Sequence, residues 1–120
     1  MIAILVYRDE RGEVNGGIYP NVCDYIEQLD RITFTILHDA KTARSYTIKG
    51  RDLISFIPLE VKGRTYAERK ADLQNKAIEW SYAGSEANWS YGELVAIGDF
   101  FKINSRRYGL TREFRENGII

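Results

Sequence analysis

The sequence of 120 residues contains only one cysteine and one histidine. Cys23 has no second cysteine with which to form an intramolecular disulfide. Together with His38 it supplies two ligands, fewer than the three or four protein ligands that a zinc site requires. A disulfide-stabilised secreted domain and a cysteine–histidine zinc site are therefore excluded, and we expect the protein to occupy a reducing compartment.

Long apolar runs are also missing. No stretch reaches the ~18 to 20 apolar residues that a membrane-spanning helix needs. The first residues, MIAILVY, lack the basic leader and the long apolar segment of a signal peptide. The sequence thus predicts a soluble, cytoplasmic protein that does not associate with membranes.

Neither sign of charge is in excess, since 17 Lys and Arg balance 17 Asp and Glu. A domain that mainly binds nucleic acid usually has a basic excess, so the balance favours other partners. With 44% hydrophobic and 28% charged residues, the composition is that of a globular protein. The length suits one hydrophobic core, and we expect a single domain over residues 1–120.

The motifs of the common enzyme classes do not occur in the chain: there is no GxxxxGK[ST] or GxGxxG phosphate loop, no HExxH and no GxSxG. His38 is the only imidazole for a catalytic triad, and its place at a predicted strand end favours a solvated side chain. Cys23 has no local cation or helix end that would make it a nucleophile. We predict a protein that is not an enzyme and has no cofactor; an enzyme with an unrecognised site is an open alternative.

The first half of the chain has the period-two pattern of β-structure. Residues 22–29 fit either a strand or a helix, and a strand is favoured. The NGG sequence at 15–17 predicts a turn within a loop at 13–20. Pro58 has no amide donor and is therefore expected at a sheet edge. Residues 1–61 should form mainly β-structure, an antiparallel meander of four or five strands, with strands predicted at 2–7, 31–37, 44–49 and 53–61.

Residues 65–117 have helical periodicity instead. The capping boxes TYAE at 65–68 and SYGE at 90–93 predict two helix starts. We expect helices at about 66–83, ending at Gly84 in a left-handed conformation, and at 91–106, followed by a short helix at 112–117 capped by Thr111. Strands followed by helices indicate an α+β domain, in which the helices cover one face of the sheet.

Helical periodicity also predicts the buried faces. The first helix has two apolar stripes, which indicate two packing partners, the sheet and the next helix. Gly98 in the second helix is expected to allow close approach of another backbone. The stripes are Tyr66, Leu73, Ala77 and Trp80, and Ala67, Ala71, Ile78 and Tyr82; the buried face of the second helix is Leu94, Ile97, Gly98 and Phe101.

Aromatic and basic side chains near the predicted helix ends provide the candidate binding surface. The last 19 residues hold five basic and two acidic side chains. Tyr, Trp and Arg often carry the binding energy of protein interfaces, and Arg also binds phosphates. The candidate partner-binding residues are Lys102, Arg106, Arg107, Tyr108, Arg112, Arg115, Tyr82, Trp89 and Tyr91.

Other roles for this surface are open. Basic residues also suit a solvated helix end, where they complement the helix dipole. A protein partner and a nucleic acid both fit the basic patch. A homodimer through the edge strand that contains Pro58, or through an exposed aromatic face, is a further alternative.

A resemblance bears on the choice of function. The segments YAERK (66–70), KAIEW (76–80), SYGEL (90–94), RRYGL (106–110) and REFRENGI (112–119) resemble small uncharacterised proteins carried by bacteriophages and conjugative elements. The resemblance covers under half of the chain and brings no catalytic motif. It implies an accessory protein of a phage or mobile element, a class that includes stoichiometric inhibitors of host defence of the anti-CRISPR and anti-restriction types.

The combined prediction is a small non-enzymatic protein that binds a macromolecular partner. A protein encoded by the host or by the mobile element is the favoured partner. Nucleic-acid binding through the basic C-terminal patch is the alternative.

Overall fold

The computed structural model describes residues 1–19, 22–27, 31–37, 43–49 and 52–120. In the described ranges 23–27, 31–37 and 43–49 it gives the backbone and, of the side chains, that of Thr33. The predictions for His38, for the Cys23 side chain and for the turn at 38–42 lie outside the described part of the chain.

In these ranges strands precede helices along the chain, which confirms the α+β class. The strand favoured at 22–29 is confirmed for the described residues of this range, since Val22–Glu27 is a strand. The strands are β1 (Ala3–Arg8), β2 (Val14–Tyr19), β3 (Val22–Glu27), β4 (Arg31–Leu37), β5 (Ala43–Lys49) and β6 (Leu53–Pro58), and the helices are α1 (Tyr66–Ala83), α2 (Tyr91–Tyr108) and α3 (Thr111–Glu116).

The strands form two antiparallel three-stranded sheets, with the orders β2-β1-β6 and β3-β4-β5. The expected single sheet of four or five strands is not confirmed. The meander is limited to β3, β4 and β5, because β6 pairs with β1 rather than with β5. Pro58 is the last residue of β6, which is an edge strand of the first sheet. Its missing amide donor therefore costs no hydrogen bond to a neighbouring strand.

β2 replaces the loop that was expected at 13–20. The two glycines of the NGG sequence are paired with β1, Gly16 opposite Val6 and Gly17 opposite Leu5. Gly16 serves close packing rather than a turn, because a Cβ atom there would lie 2.6 Å from the ring of Trp89. The turn between β1 and β2 falls earlier, at residues 9–13.

β1 is buried on both faces, which explains its continuous apolar run. Ile4 and Val6 point toward the helices and share a core with Ile57 of β6. Ala3 and Leu5 point the other way, into a smaller apolar cluster that includes Phe56 and, from the second sheet, Val22. The first sheet therefore carries helices on one face and this second cluster on the other.

Both predicted capping boxes are present. The Thr65 hydroxyl accepts from the amide of Glu68 at 3.1 Å, and the Glu68 carboxylate accepts from the amide of Thr65 at 3.3 Å. Ser90 and Glu93 make the same reciprocal pair at the start of α2, at 3.2 and 3.1 Å. Local sequence thus determines where both long helices begin.

The helix ends differ from the prediction at three points. Gly84 has φ −63°, so α1 continues into a short 3-10 turn instead of a left-handed cap. α2 extends to Tyr108 and ends at Gly109, which has φ 69°. Thr111 is the first residue of α3 rather than its cap, and its hydroxyl lies 3.3 Å from the buried Ser105 hydroxyl.

One face of α1 meets both the sheet and α2, so the prediction of two packing stripes is wrong. Leu73 and Ala77 belong to the same core as Ile57 of β6 and Ile97 of α2. The second stripe, Ala67, Ala71, Ile78 and Tyr82, is exposed, and Tyr66 from the first stripe is 58% exposed.

Two predictions for α2 are also wrong. Leu94 is 47% exposed rather than buried. A Cβ atom at Gly98 would have no neighbour within 4 Å, so no backbone approaches there. In the described part of the chain, neither long helix is apolar enough to cross a bilayer.

The carboxylate of Asp9 organises the turn between β1 and β2. It accepts from the side-chain amide of Asn15 at 2.8 Å and from the backbone amides of Arg11 and Glu13 at 2.9 and 3.0 Å. The bond from Asn15 and those from the two backbone amides hold the pKa of Asp9 below its ordinary value of 3.8.

The Asp9 turn should therefore contribute stability that depends on pH. A lowered pKa in the folded state stabilises the fold above about pH 4, and this contribution is lost as the pH falls through the folded-state pKa. We expect Asp9→Asn to lower the urea midpoint at pH 7 and to have a smaller effect at pH 3. An effect of equal size at both pH values would contradict this role of the carboxylate.

Gly16→Val should destabilise the fold, because the added side chain would overlap the Trp89 ring. Overpacking of this kind costs about 1 to 3 kcal/mol, measurable by urea denaturation. Gly92→Ala is a control, since a Cβ atom there meets nothing within 4 Å. If Gly16→Val were no less stable than the wild type, the glycine would not be required for this contact.

Candidate partner-binding surface

The nine candidate residues divide into exposed and enclosed side chains. Tyr108 is buried and Trp89 is half-buried. The other seven are exposed, and they lie on different helices: Tyr82 on α1, Tyr91, Lys102, Arg106 and Arg107 on α2, and Arg112 and Arg115 on α3.

Tyr108 belongs to the core, so the exposed edge expected for it is wrong. It is 4% exposed, and its ring centroid lies 5.5 Å from that of Tyr66. Tyr108 follows Phe101 by two helical turns and therefore shares the buried face of α2. Because α2 continues through Tyr108 to Gly109, this face includes the last residue of the helix.

Trp89 packs inside the protein and joins several elements. Its indole Nε1 donates to the carbonyl oxygen of Gly84 at 2.8 Å, and its ring makes an edge contact with Trp80 at a centroid distance of 5.0 Å. The same ring covers Gly16 of β2. Trp89 thus fixes the chain between α1 and α2 against the first sheet.

The outward side of α2 brings three of the candidates together. Tyr91, Lys102 and Arg106 share this side with Val95, because residues spaced by four, seven and four positions fall within roughly 60° of one another around a helix. Ile103 lies beside Arg106, three positions before it on the helix. We call this surface the α2 outer face and define it by Tyr91, Val95, Lys102, Ile103 and Arg106.

The α2 outer face combines exposed apolar side chains with cations. Tyr91 is 84% exposed, Ile103 59% and Val95 42%. Lys102 and Arg106 are exposed as well. Sequence reasoning overlooked Val95 and Ile103, although Val95 follows Tyr91 by four positions and Ile103 precedes Arg106 by three, spacings that place neighbours together on a helix surface.

The basic residues differ in their partners. Arg112 pairs with Glu116 across one helical turn at 3.0 Å, and both side chains are largely exposed, so this ion pair is weak. Among the described residues, no acidic side chain pairs with Lys102, Arg106, Arg107 or Arg115. These four cations are available to an external ligand.

A separate groove of about 450 Å³ lies between α1 and α3. Ile78 and Tyr82 line it on α1, and Phe114 and Ile119 line it on the C-terminal side. The Gln74 side-chain amide donates to the Glu113 carboxylate at 3.1 Å between the two walls. Tyr82 therefore belongs to this groove and not to the α2 outer face.

Metal-ligating side chains do not converge in the described part of the chain: it has no group of three or more His, Cys, Asp and Glu side chains placed to hold a metal ion.

Two tyrosine substitutions should distinguish core from surface. Tyr108→Ala removes a buried ring and should lower the free energy of unfolding by about 3 kcal/mol or more. Tyr82→Ala removes a ring that is 78% exposed and should change it by about 0.5 kcal/mol or less. Urea denaturation measures both values. Comparable losses in the two variants would contradict the assignment of Tyr108 to the core.

Comparison of the chain with known protein families, with curated proteins and with solved structures finds no match. Its function is therefore inferred from the chemistry of the exposed side chains.

Proposed function

We propose that this chain is a non-enzymatic accessory protein that binds a macromolecular partner, and that the partner is a protein. The α2 outer face carries this proposal. On it Tyr91, Val95 and Ile103 are exposed next to two cations that have no acidic partner in the described part of the chain, Lys102 and Arg106.

The physical basis is the combination of side chains rather than any single one. Isolated exposed apolar residues are common on protein surfaces. Here an exposed tyrosine, two aliphatic side chains and an arginine share one side of a helix. Tyrosine and arginine are among the residues enriched where binding energy concentrates, so this side of α2 suits a protein interface.

A phage or mobile-element origin is part of the proposal and depends on the resemblance. Two of the resembling segments, SYGEL and RRYGL, form the beginning and the end of α2. Inhibitors of host defence of the anti-CRISPR or anti-restriction type often act as stoichiometric binders. An inhibitor of this kind would act in the cytoplasm.

Nucleic-acid binding is the second candidate. Arg106 and Arg107 at the end of α2 and Arg112 and Arg115 on α3 are all exposed and could contact phosphates. Such binding falls steeply as salt rises, whereas a partner held by aromatic and aliphatic contacts depends on salt weakly. The charge balance of the whole chain disfavours this candidate.

Replacing Arg106, Arg107, Arg112 and Arg115 by Ala should abolish partner binding and leave the thermal midpoint nearly unchanged. The thermal midpoint should hold because all four side chains are exposed and, of the four, only Arg112 has an ion pair, which is weak. The measurement is a pull-down with tagged protein from bacterial host lysate, with and without nuclease, at low and moderate salt. A matched control replaces the exposed Arg8, Arg11 and Arg64 by Ala.

A stoichiometric protein that survives nuclease, is retained by the control and is lost by the fourfold variant supports the proposal. Recovery of nucleic acid alone, released as the salt concentration rises, would support nucleic-acid binding instead. Undiminished capture by the fourfold variant would refute a role for these arginines, and loss of the fold would refute their surface position.

A further inference from the structure

Building on the proposed function, we infer that the partner presents an acidic amphipathic protein segment to the α2 outer face. The apolar side chains of this segment contact Tyr91 and Val95, and its carboxylates pair with Lys102 and Arg106. Charge complementarity and the order of side chains along α2 specify this occupant.

The α2 outer face is long, and both of its cations lie toward one end. Tyr91 and Val95 lie at the N-terminal end, and Lys102 and Arg106 lie nearer the C-terminal end. At 1.5 Å per residue, Tyr91 and Arg106 are about 22 Å apart along the helix axis, and Val95 and Lys102 about 10 Å. A complementary segment therefore needs apolar groups at one end and carboxylates more than one helical turn away.

The helix dipole accounts for a cation at Arg106 but not for one at Lys102. Basic residues near a helix C-terminus complement the dipole, but the effect fades within the last turn. Arg106 and Arg107 are in the last turn of α2, whereas Lys102 lies one turn further back. Lys102 also has no acidic partner among the described residues, so its charge is available to an external carboxylate.

A protein segment fits this face better than a nucleic acid does. Asp99 is exposed on the same side of α2, between Val95 and Lys102, and would repel a continuous row of phosphates. Val95 and Ile103 offer apolar surface that phosphates do not use. A protein segment can place its carboxylates opposite Lys102 and Arg106 and an uncharged group opposite Asp99.

The test uses labelled probe peptides as long as α2, 18 residues, and measures fluorescence anisotropy with the full chain. One peptide is an amphipathic helix with leucines near one end and glutamates on the same side more than one helical turn away. A second has lysines in place of the glutamates, a third is a scrambled version of the first, and single-stranded DNA is the fourth probe. We expect the glutamate peptide to bind on the order of tenfold more tightly than the other three.

Charge reversal provides the decisive comparison. The double variant Lys102→Glu, Arg106→Glu should no longer bind the glutamate peptide and should bind the lysine peptide more tightly. Tyr91→Ala should weaken binding of the glutamate peptide by a factor that changes little with salt, because the lost contact is apolar. The matched control Arg11→Glu, Arg64→Glu, at exposed arginines outside the candidate surface, should bind the glutamate peptide like the wild type, and unchanged thermal midpoints will show that all variants fold.

Three results would overturn the inference: the four probes bind equally or not at all, DNA binds more tightly than the glutamate peptide, or charge reversal at Arg11 and Arg64 weakens binding as strongly as reversal on α2. The lysate experiment separates this failure from failure of the proposed function. If the α2 reversal variant still captures the nuclease-resistant protein and the fourfold arginine variant does not, the proposed function stands and the acidic segment on α2 is wrong.

Discussion

The packing of Trp89 on Gly16 is the contact on which the arrangement of helices and sheet depends. The indole is held by the Gly84 carbonyl and by the edge of Trp80, so it is tied to the end of α1. It immediately precedes Ser90, the residue that caps α2. One ring thus fixes the edge strand β2, the end of α1 and the direction in which α2 leaves the sheet, and it thereby determines which side of α2 faces outward.

The sequence predicts the features that depend on neighbouring residues and misses those that depend on distant ones. The Thr65 and Ser90 capping boxes are local, and both are confirmed. β2 was missed because two adjacent glycines are typical of a turn, whereas Gly16 is needed for a ring that lies far along the chain. The pairing of β6 with β1 is likewise a long-range choice, which the apolar pattern of either strand does not specify.

The candidate surface was predicted only in part, because some of its residues are placed by local helix geometry and others by contacts with distant parts of the chain. Counting aromatic and basic residues near the helix ends selected Tyr91, Lys102 and Arg106, which share one side of α2. It also selected Tyr108, whose spacing from Phe101 indicates the core. Helical periodicity alone would have separated these two groups, and it would have added Val95, four positions after Tyr91. The enclosure of Trp89 needed the position of β2, which no helical pattern supplies.

Glu93 connects the first turn of α2 to the sheet in a way that affects how this molecule meets others. One oxygen of its carboxylate caps the helix, and the other accepts from the amide of Ile18 on β2 at 3.1 Å. β2 is an edge strand of its sheet. An incoming strand would find that amide already bonded and would bring its own carbonyl oxygens toward a negative charge. The helix therefore shields this edge from strand-to-strand association, and it turns a different side, its own outer face, toward other molecules.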